Sequence, residues 1–249
     1  MSHIEIITVT RENINTYSPR CFLKPDNPGQ ILKNTWVVDR LNEGMKIKLL
    51  YTDHKLAGYI EYIPGKHAWR AVDVDNYLFI HCIWMYPNKN KEKGHGSRLI
   101  RECIKDVKNL DLCGIAVITS DESFMASKDI FEKNGFQIVQ EDNPYQLLVK
   151  NRKECDSPSF HDYKNELKKY LGLHIVYSHQ CPWVNRFMDE MKDELNKLDI
   201  TITEIKTAHD AQHAPSVYAS FSLIKDGVLL ADHYISQRRF DNIMKKMLK

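Results

Sequence analysis

The stretch YLFIHCIWMY, residues 77–86, followed by PNKNKEKGHGSRLI, residues 87–100, decides the fold of this chain. Its first ten residues are mostly aromatic or aliphatic, which is typical of a strand buried in the middle of a sheet. From Ser97 onwards the apolar residues recur at helical spacing, so an amphipathic helix follows. The stretch therefore predicts a central strand, a polar loop with two glycines and a helix, in that order.

Composition excludes several classes of protein. The chain has 249 residues, of which 43% are hydrophobic and 27% charged, as in ordinary globular domains. A net charge of +2 provides no basic surface of the kind that nucleic acid requires. No apolar run reaches the roughly 18–20 residues of a transmembrane helix, and no signal-peptide pattern stands at the start. We expect a cytoplasmic protein that binds neither nucleic acid nor membrane, with its six cysteines as free thiols; the sequence does not fix an oligomeric state.

The rest of the chain extends the α/β pattern. Strands are predicted over 4–9, 45–51, 56–63, 113–119, 136–139 and 145–149, and helices over 33–41, 97–107 and 126–134. Thr52-Asp53-His54-Lys55 is the predicted turn between the second and third of these strands, and Gly135 is expected to end the third helix. After a polar stretch, the predicted order is helix 162–171, strand 174–177, helix 182–198, strand 200–205, loop 208–216, hairpin 218–235 and helix 238–248. We expect one domain over 1–150, a linker and connecting helix over 151–172, and a second domain over 173–249.

The glycine-rich loop before the predicted helix suits an anion. Backbone N–H groups at a helix start have no intrahelical partner and carry partial positive charge, which makes a phosphate site. Gly94 and Gly96 allow the backbone to approach a phosphate closely, and Lys91 and Lys93 add positive charge. Two nucleotide motifs are absent, because no GxxxxGK[ST] occurs and Leu99 stands where GxGxxG requires its third glycine.

These features together resemble the acetyl-CoA signature of the GNAT N-acetyltransferases, an apolar strand followed by [Arg/Gln]-x-x-Gly-x-[Gly/Ala]. The residues that carry the resemblance are Ile83-x-Met85-x-Pro87, Lys91-x-x-Gly94-x-Gly96 and Phe131-Glu132-Lys133-Asn134-Gly135-Phe136. It covers residues 3–150 and implies a mixed sheet with flanking helices, an α/β fold of the α+β kind, with acetyl-CoA as co-substrate. It implies that the backbone of Ile83, Trp84 and Met85 pairs with the pantetheine arm. The implied pyrophosphate-binding residues are Lys91, Glu92, Lys93, Gly94, His95, Gly96 and Ser97.

The reaction implied by this resemblance is acetyl transfer to an amine of a small molecule or peptide, by direct attack in a ternary complex and without a metal. Such a reaction needs a base that takes a proton from the amine. The period of two puts residues 79, 81, 83 and 85 on one face of the strand, and several relatives use a His or Glu there. His81 is therefore the first candidate base, and Glu61 on the preceding strand is the second.

Phe131 departs from the family pattern, because many members carry there a Tyr that protonates the leaving thiolate. The thiolate then leaves unassisted, as a thiol pKa of about 8.5 allows, or it takes a proton from another group. The candidate donors are Tyr86, Ser127 and Cys82. The departure leaves a second class of function open, a CoA-binding sensor or scaffold without chemistry. Trp69 and Arg70 are candidates for the acceptor pocket, although aromatic residues at strand ends are more often core.

Residues 173–249 resemble a thioredoxin or glutaredoxin domain in βαβ-ββα order. A strand leads into Ser178-His179-Gln180-Cys181-Pro182-Trp183-Val184 and then a helix. Together with the N-terminal part, this resembles the YoaP-type acetyltransferase group. A cysteine at a helix start predicts a lowered pKa and a reactive thiol at Cys181, so monothiol exchange is a further alternative function. Val184 replaces the second cysteine of CxxC, so no disulfide forms within the motif, and a domain kept for packing or substrate capture is the simpler alternative.

This part of the chain has two further notable features. Ala214-Pro215 before the hairpin resembles the family's cis-proline loop. His209 and His213 have the i, i+4 spacing of a helical metal pair, but no third ligand of clear spacing follows. We therefore expect a surface loop there and no metal.

Overall fold

The computed structural model describes residues 3–21, 23–86, 93–122 and 124–247. The chain divides into two compact units, and each unit draws on several parts of it. Unit 1 consists of Met1–Pro19, Val37–Ala68 and Asp73–Ser159. Unit 2 consists of Arg20–Trp36, Trp69–Val72 and Phe160–Lys249. Two segments within the first 150 residues thus belong to the same unit as the C-terminal part of the chain.

Unit 1 is built on a mixed sheet. Its strands are β1 (Ile4–Thr8), β2 (Lys46–Thr52), β3 (Lys55–Pro64), β5 (Tyr77–Met85), β6 (Gly114–Ser120), β7 (Gln137–Asp142) and β8 (Tyr145–Asn151). They form a seven-stranded sheet in the order β1-β2-β3-β5-β6-β8-β7. β5 and β6 are parallel, and the other neighbours are antiparallel. The short strands β4 (Val72–Asp73) and β9 (Ser159–Phe160), which were not predicted, pair separately. This large mixed sheet confirms the predicted fold class.

The predicted central strand and helix form the core of unit 1. The helices among the first 150 residues are α1 (Pro28–Asn42), α2 (His95–Val107) and α3 (Lys128–Glu132), and residues 28–36 of α1 belong to unit 2. One stripe of α2 is buried, at Leu99, Ile100, Cys103 and Val107. It packs in one cluster with strand residues that include Leu78, Ile80, Ile83, Val117 and Leu148. The period of 3.6 on the helix and the alternation on the strands therefore bury the same face of the sheet.

Element ends differ from the prediction where caps decide them. The Ser127 hydroxyl accepts a hydrogen bond from the Asp129 N–H and starts α3 two residues later than expected. After α3, Gly135 adopts a φ of 83°, as its predicted role at the helix end requires. The hairpin between β2 and β3 turns through Asp53 and His54, both with positive φ, which confirms the predicted turn and matches the twist of its strands.

Asp106 ties α2 to two strands of the sheet. Its Oδ2 accepts hydrogen bonds from the Tyr62 hydroxyl at 2.6 Å and from Lys46 Nζ at 3.0 Å, with Lys48 Nζ at 3.6 Å. Burial alone raises the pKa of Asp106, but the Tyr62 hydrogen bond and the two lysines outweigh it and lower the pKa below its ordinary value. Burial, the neighbouring Cys103 thiol and the Asp106 carboxylate raise the pKa of Tyr62, so its hydroxyl remains a donor.

A disulfide joins Cys113 and Cys155 across a sequence separation of 42 residues. The expectation that all six thiols are free is therefore wrong. Cys113 immediately precedes β6 and Cys155 follows β8, and the antiparallel register sets Gly114 opposite Asn151. This pairing brings the two cysteines to the same end of the sheet, which their separation in the sequence conceals.

Unit 2 contains a four-stranded sheet. Its strands are β10 (Leu173–Tyr177), β11 (Ile200–Glu204), β12 (Phe221–Lys225) and β13 (Val228–Ala231), in the order β11-β10-β12-β13. β10 and β11 are parallel, and the remaining pairs are antiparallel. The helices are α4 (Tyr163–Leu167), α5 (Pro182–Glu190), α6 (Lys192–Leu195), α7 (Ala208–Gln212) and α8 (Gln237–Met247). The observed order is the predicted βαβ followed by ββα, with two changes among the helices.

The changes have local causes. The predicted helix 182–198 is interrupted at Met191, whose dihedral angles are −95° and −1°. The predicted loop 208–216 contains α7, because Thr207 and Asp210 form a reciprocal capping box. The cis peptide bond among the described residues joins Asn143 and Pro144, so Ala214-Pro215 is trans and the expected cis-proline is wrong. No helix in the described part of the chain is long and apolar enough to cross a bilayer.

The Asp106 contacts predict a stability coupling. Asp106→Ala leaves the buried Tyr62 hydroxyl without its acceptor and is expected to cost about 2 kcal/mol of unfolding free energy. Tyr62→Phe removes the donor and is expected to cost about 1 kcal/mol, while the double variant costs clearly less than the sum. Because the folded-state pKa of Asp106 is lowered, its contribution is complete above the unfolded value of about 3.9 and is lost as pH falls through the folded pKa. Urea unfolding at pH 7 measures the cycle, and strictly additive costs would contradict it.

Candidate active site

β5 and β6 separate part-way along their length. Their pairs run from Tyr77 opposite Gly114 to Ile80 opposite Val117. Both strands continue, β5 to Met85 and β6 to Ser120, but no further pair between them is present among the described residues. A gap therefore opens between the two parallel strands. Along this gap, one edge of β5 does not form the ladder of backbone hydrogen bonds with β6.

A β-bulge at His81 accompanies this separation. In the register with β3, Tyr62 lies opposite Ile80 and Glu61 lies opposite Cys82, which leaves His81 as the extra residue. The bulge shifts the alternation, because Ile80 and Ile83 both lie in the core cluster beneath α2. The prediction that residues 79, 81, 83 and 85 share one face is therefore wrong.

The bulge brings both candidate bases to the opposite face of the sheet. Glu61 is fully buried and lies between Ile60 and Tyr62, which point into the core beneath α2, so its side chain points away from that core. His81 is 5% exposed, and its ring lies 5.5 Å from that of Phe79 in an edge-to-face arrangement. The two candidates thus lie on neighbouring strands and on one face, where β5 leaves β6.

The start of α2 has the geometry of an anion site. Gly94 is its N-cap in the left-handed conformation with φ 74°, and a Cβ added there would meet no atom of the described residues within 4 Å. Gly96 has another role, because a Cβ there would collide with the side chain of Ile130 in α3. Among the described residues, nothing fills the space beside Gly94, whereas Gly96 allows the close approach of two helices.

Some side chains around the start of α2 contribute positive charge, and others pack or form hydrogen bonds. Burial, with the positive charges of Arg98 and Lys93, lowers the pKa of His95, so its imidazole is neutral at pH 7. The charge at the helix start therefore comes from Lys93, Arg98 and the helix N–H groups. The Ser97 hydroxyl accepts a hydrogen bond from Asn134 Nδ2 at 2.9 Å and joins α2 to the segment after α3. Lys91 and Glu92, also predicted to bind pyrophosphate, lie outside the described residues.

The pantetheine-pairing residues predicted from the sequence border the gap. Ile83, Trp84 and Met85 pair on one side with Ile60, Tyr59 and Gly58 of β3. Their other side lies along the part of β5 that has left β6. The backbone there suits an extended amide-bearing chain, which would complete the missing ladder.

Phe131 is a core residue and offers no proton. It is 1% exposed and packs edge-to-face on Phe136, with ring centroids 5.4 Å apart. Of the other candidate donors, the Ser127 hydroxyl caps α3 and the Cys82 thiol lies 3.7 Å from the Tyr59 hydroxyl. Tyr86, at the end of β5, tilts against the ring of Tyr59 at 6.5 Å.

A polar chain of two buried residues and the exposed Asp121, at the open end of β6, was not predicted from the sequence. The Thr119 hydroxyl donates to Gln146 Oε1 at 2.9 Å, and Gln146 Nε2 donates to Asp121 Oδ2 at 3.1 Å. Thr119 and Gln146 are opposite each other in the β6–β8 pair. Their alternation with apolar neighbours was the available signal, but their pairing depends on the register of two strands that are distant in sequence.

Trp69 and Arg70 are both buried in unit 2, at 1% and 2% exposure. Trp69 packs edge-to-face on Trp36 at 5.1 Å. Arg70 lies 4.3 Å over the ring of Tyr218 and donates hydrogen bonds to Trp69 O and Gln180 Oε1. The prediction that they line an open acceptor pocket is wrong, because packing and hydrogen bonding within unit 2 enclose them.

Cys181 is the N-cap of α5, as predicted, but its electrostatics differ from the expectation. Burial raises the pKa of its thiol, and the helix N–H groups of Val184 and Trp183 lower it less than burial raises it. The predicted lowering of this pKa is therefore wrong. A thiol that is protonated at neutral pH is a slow nucleophile, which weighs against monothiol exchange as the function of the protein.

The part of the chain that the structure describes contains no group of three His, Cys, Asp or Glu side chains arranged to hold a metal. The rings of His209 and His213 are tilted by 52° with centroids 4.2 Å apart, and His213 also meets the ring of His161 at 4.4 Å. These rings pack on one another.

Comparison with known proteins agrees with the geometry of unit 1. Residues 12–136, half of the chain, match the model of the acetyltransferase (GNAT) family. The chain belongs to the GNAT acetyltransferase family. It is an N-acetyltransferase that uses acetyl-CoA as co-substrate, and family membership favours this enzyme class over a non-catalytic CoA-binding protein. Residues 199–242 match a second family model, described as YoaP-like.

One relative of this GNAT protein matches nearly the whole chain, and the similar solved structures match about 60% of it. It is 27% identical to the uncharacterized N-acetyltransferase YoaP of Bacillus subtilis (strain 168), over 97% of this chain and 98% of the relative. Among solved structures, it is similar to the N-acetyltransferase PseH of Campylobacter jejuni with acetyl coenzyme A, at 15% identity and a TM-score of 0.43 over 61% of this chain and 100% of that one. It is similar to the PaiA N-acetyltransferase of Thermoplasma acidophilum with coenzyme A, at 16% identity and a TM-score of 0.43 over 60% and 99%.

The left-handed Gly94 predicts a charge-dependent change in CoA affinity. Asp and Asn both tolerate positive φ and have the same shape, so Gly94→Asp and Gly94→Asn differ only in a negative charge beside the helix start. We expect Gly94→Asn to bind CoA slightly more weakly than the natural protein. Gly94→Asp is expected to bind at least tenfold more weakly than Gly94→Asn, about 1.4 kcal/mol. Calorimetry measures both, and equal affinities of the two variants would contradict this pyrophosphate site.

Proposed function

We propose that this GNAT enzyme transfers the acetyl group of acetyl-CoA directly to an amine of a small molecule or a peptide, with His81 as the base. The bulge in β5 carries the proposal. It gives the strand an extra residue, places the His81 imidazole on the face away from α2, and coincides with the end of the β5–β6 pairing. A titratable side chain with an ordinary pKa near 6.5 suits proton removal at neutral pH.

The proposed step is balanced without any enzyme thiol or metal. The amine nitrogen attacks the acetyl carbonyl carbon, a C–N bond forms, and the C–S bond to CoA breaks. The proton of the amine passes to the imidazole of His81. The CoA thiolate leaves as an anion and takes its proton from water, because Phe131 supplies none and a thiol pKa of about 8.5 makes the thiolate an adequate leaving group.

The proposed CoA site lies in unit 1. We assign the pyrophosphate to the N–H groups at the start of α2, from Lys93 to Ser97, with Arg98 contributing charge. We assign the pantetheine arm to residues 83–85 of β5, which lie beyond its last pair with β6. Lys91 and Glu92 remain predicted members of this site, and the boundaries 1–150 and 173–249 and the cytoplasmic location remain predictions.

Glu61 is the second candidate base. It is a buried carboxylate on the same face of the sheet and lies opposite Cys82, the residue that follows His81. Glu61 has one of two roles: it removes the proton in place of His81, or it orients the imidazole of His81. Substitution of each residue separates these roles.

His81→Gln is expected to lower kcat by about 10²–10⁴-fold, the usual loss of a general base. Its CoA affinity is expected to remain within about twofold, because the pyrophosphate site does not include this residue. The acid limb of the kcat/KM profile, which reports a base that must be neutral, is expected to disappear. Free-thiol release with acetyl-CoA and a panel of amines measures the rates, and circular dichroism checks folding.

Glu61→Gln is the matched variant. If Glu61 only orients the imidazole, this variant loses less activity than His81→Gln and keeps the acid limb. A folded His81→Gln variant with full turnover from pH 6 to 9 would contradict the assignment. A large loss in Glu61→Gln alone would transfer the role of base to the carboxylate.

Cys181→Ser is expected to retain normal turnover on a small free amine. The proposed machinery lies in unit 1, whereas Cys181 belongs to unit 2, and direct transfer requires no enzyme thiol. The same thiol-release assay tests this. Loss of small-amine turnover in the folded variant would argue instead for a covalent acetyl-cysteine intermediate.

A further inference from the structure

Two loops of unit 2 meet at the start of α5. One leads from β10 to Cys181, and the other leads into β12. The Ser178 N–H donates to Ser220 O at 3.1 Å and joins them. In the second loop, Ala219 has a φ of 54°, a conformation that costs energy for a residue with a Cβ and is frequent at ligand sites.

Three buried polar atoms in these loops have no hydrogen-bond partner among the described residues. They are the hydroxyls of Ser178 and Ser220 and the amide nitrogen of Gln180, in residues that are 1%, 0% and 5% exposed. Most buried polar groups in proteins are hydrogen-bonded, so three such atoms in adjoining residues need an explanation. They indicate a place that a polar ligand or water completes.

Arg70 fixes which atom of Gln180 remains available. Its guanidinium donates to Gln180 Oε1, so the carboxamide oxygen faces Arg70 and the amide nitrogen is the donor left over. Arg70 is 2% exposed and is further held by Trp69 O and the ring of Tyr218. A rigid donor thus lies in the residue that immediately precedes Cys181.

Two cations near Cys181 favour an anion. Lys33 and Arg70, which are 3% and 2% exposed and belong to unit 2, both stabilise negative charge at the sulfur, as do the N–H groups of Trp183 and Val184. The thiol itself is neutral, because burial outweighs these effects. The positive potential at this place is therefore not cancelled by a charge on the sulfur.

We propose that unit 2 binds a small carboxylate at the start of α5, beside the Cys181 thiol. The carboxylate accepts hydrogen bonds from the Gln180 amide and the serine hydroxyls, and Lys33 and Arg70 compensate its charge, as a buried anion requires. The ligand is small because the donors lie in adjoining residues of two short loops. This site is separate from the residues proposed for acetyl transfer, and it requires no redox chemistry.

Two alkylating reagents test the charge preference at Cys181. Iodoacetate carries a carboxylate and iodoacetamide is its neutral counterpart of nearly the same shape. Both react with the thiolate, so the ratio of their rates does not depend on the pKa of the thiol. We expect this ratio at Cys181, measured by peptide mass mapping, to be about tenfold higher than for an unstructured cysteine peptide, equivalent to about 1.4 kcal/mol.

Gln180→Glu is the matched variant, because it has the same shape and places a carboxylate beside Arg70 at the proposed position. We expect it to lower the ratio to the peptide value or below while iodoacetamide still reacts. Sodium acetate is expected to slow iodoacetamide labelling of the natural protein several-fold, and sodium chloride at equal ionic strength is not. This second readout keeps the test decisive if the variant fails to fold.

Three results would overturn the proposal. A ratio equal to that of the peptide, without protection by acetate, means that the buried polar atoms hold only water. Protection by sodium phosphate without protection by acetate assigns the site to a different anion. Equal protection by acetate and chloride means a general salt effect. None of these results bears on acetyl transfer, because the assay uses no CoA.

Discussion

The end of backbone pairing between β5 and β6 at Ile80 and Val117 is the constraint on which the site of unit 1 depends. Two parallel strands in the middle of a sheet normally satisfy each other along their whole length, because unpaired backbone groups away from water are costly. Here both strands continue beyond the last pair. The bulge at His81 supplies the geometric reason, since a bulge bends its strand and increases the local twist. The resulting edge is stable only where something else completes the ladder, and the amide-rich arm of CoA has the required chemistry.

α2 is fixed by its C-terminal part, so that its start remains available. At its C-terminal end, the Arg152 guanidinium donates to the carbonyls of Val107 and Leu110 at 2.8 Å, which satisfies late carbonyls and opposes the negative end of the helix dipole. In the last part of the helix, Asp106 is bound to the sheet through Tyr62. At its first turn, no described residue fills the space beside Gly94. An anion at that end therefore meets a helix that does not need to move to receive it.

The sequence alone predicts those features that depend on residues close together in the chain. The alternation and length of residues 77–86, the turn at Asp53 and His54, and the stripe of α2 depend on neighbours in the chain, and these predictions are confirmed. The bulge at His81 was not predictable, because it exists only in the register with β3. The Cys113–Cys155 disulfide depends on the register of β6 with β8. In each case the deciding partner is far away in sequence, and composition gives no sign of it.

Cys181 shows why a local rule fails when two effects of opposite sign compete. A helix start stabilises a thiolate, and this effect can be predicted from the sequence alone. The cost of burying the charge depends on what surrounds the sulfur, and part of those surroundings comes from segments 20–36 and 69–72, more than 100 residues earlier in the chain. These segments supply the two cations, Lys33 and Arg70, whereas the apolar cluster on which Cys181 packs comes from residues 173–247. Because burial keeps the sulfur neutral, the sulfur does not act as the anion of this site, and that role is left to a ligand. The thiol and the proposed carboxylate therefore belong to one site.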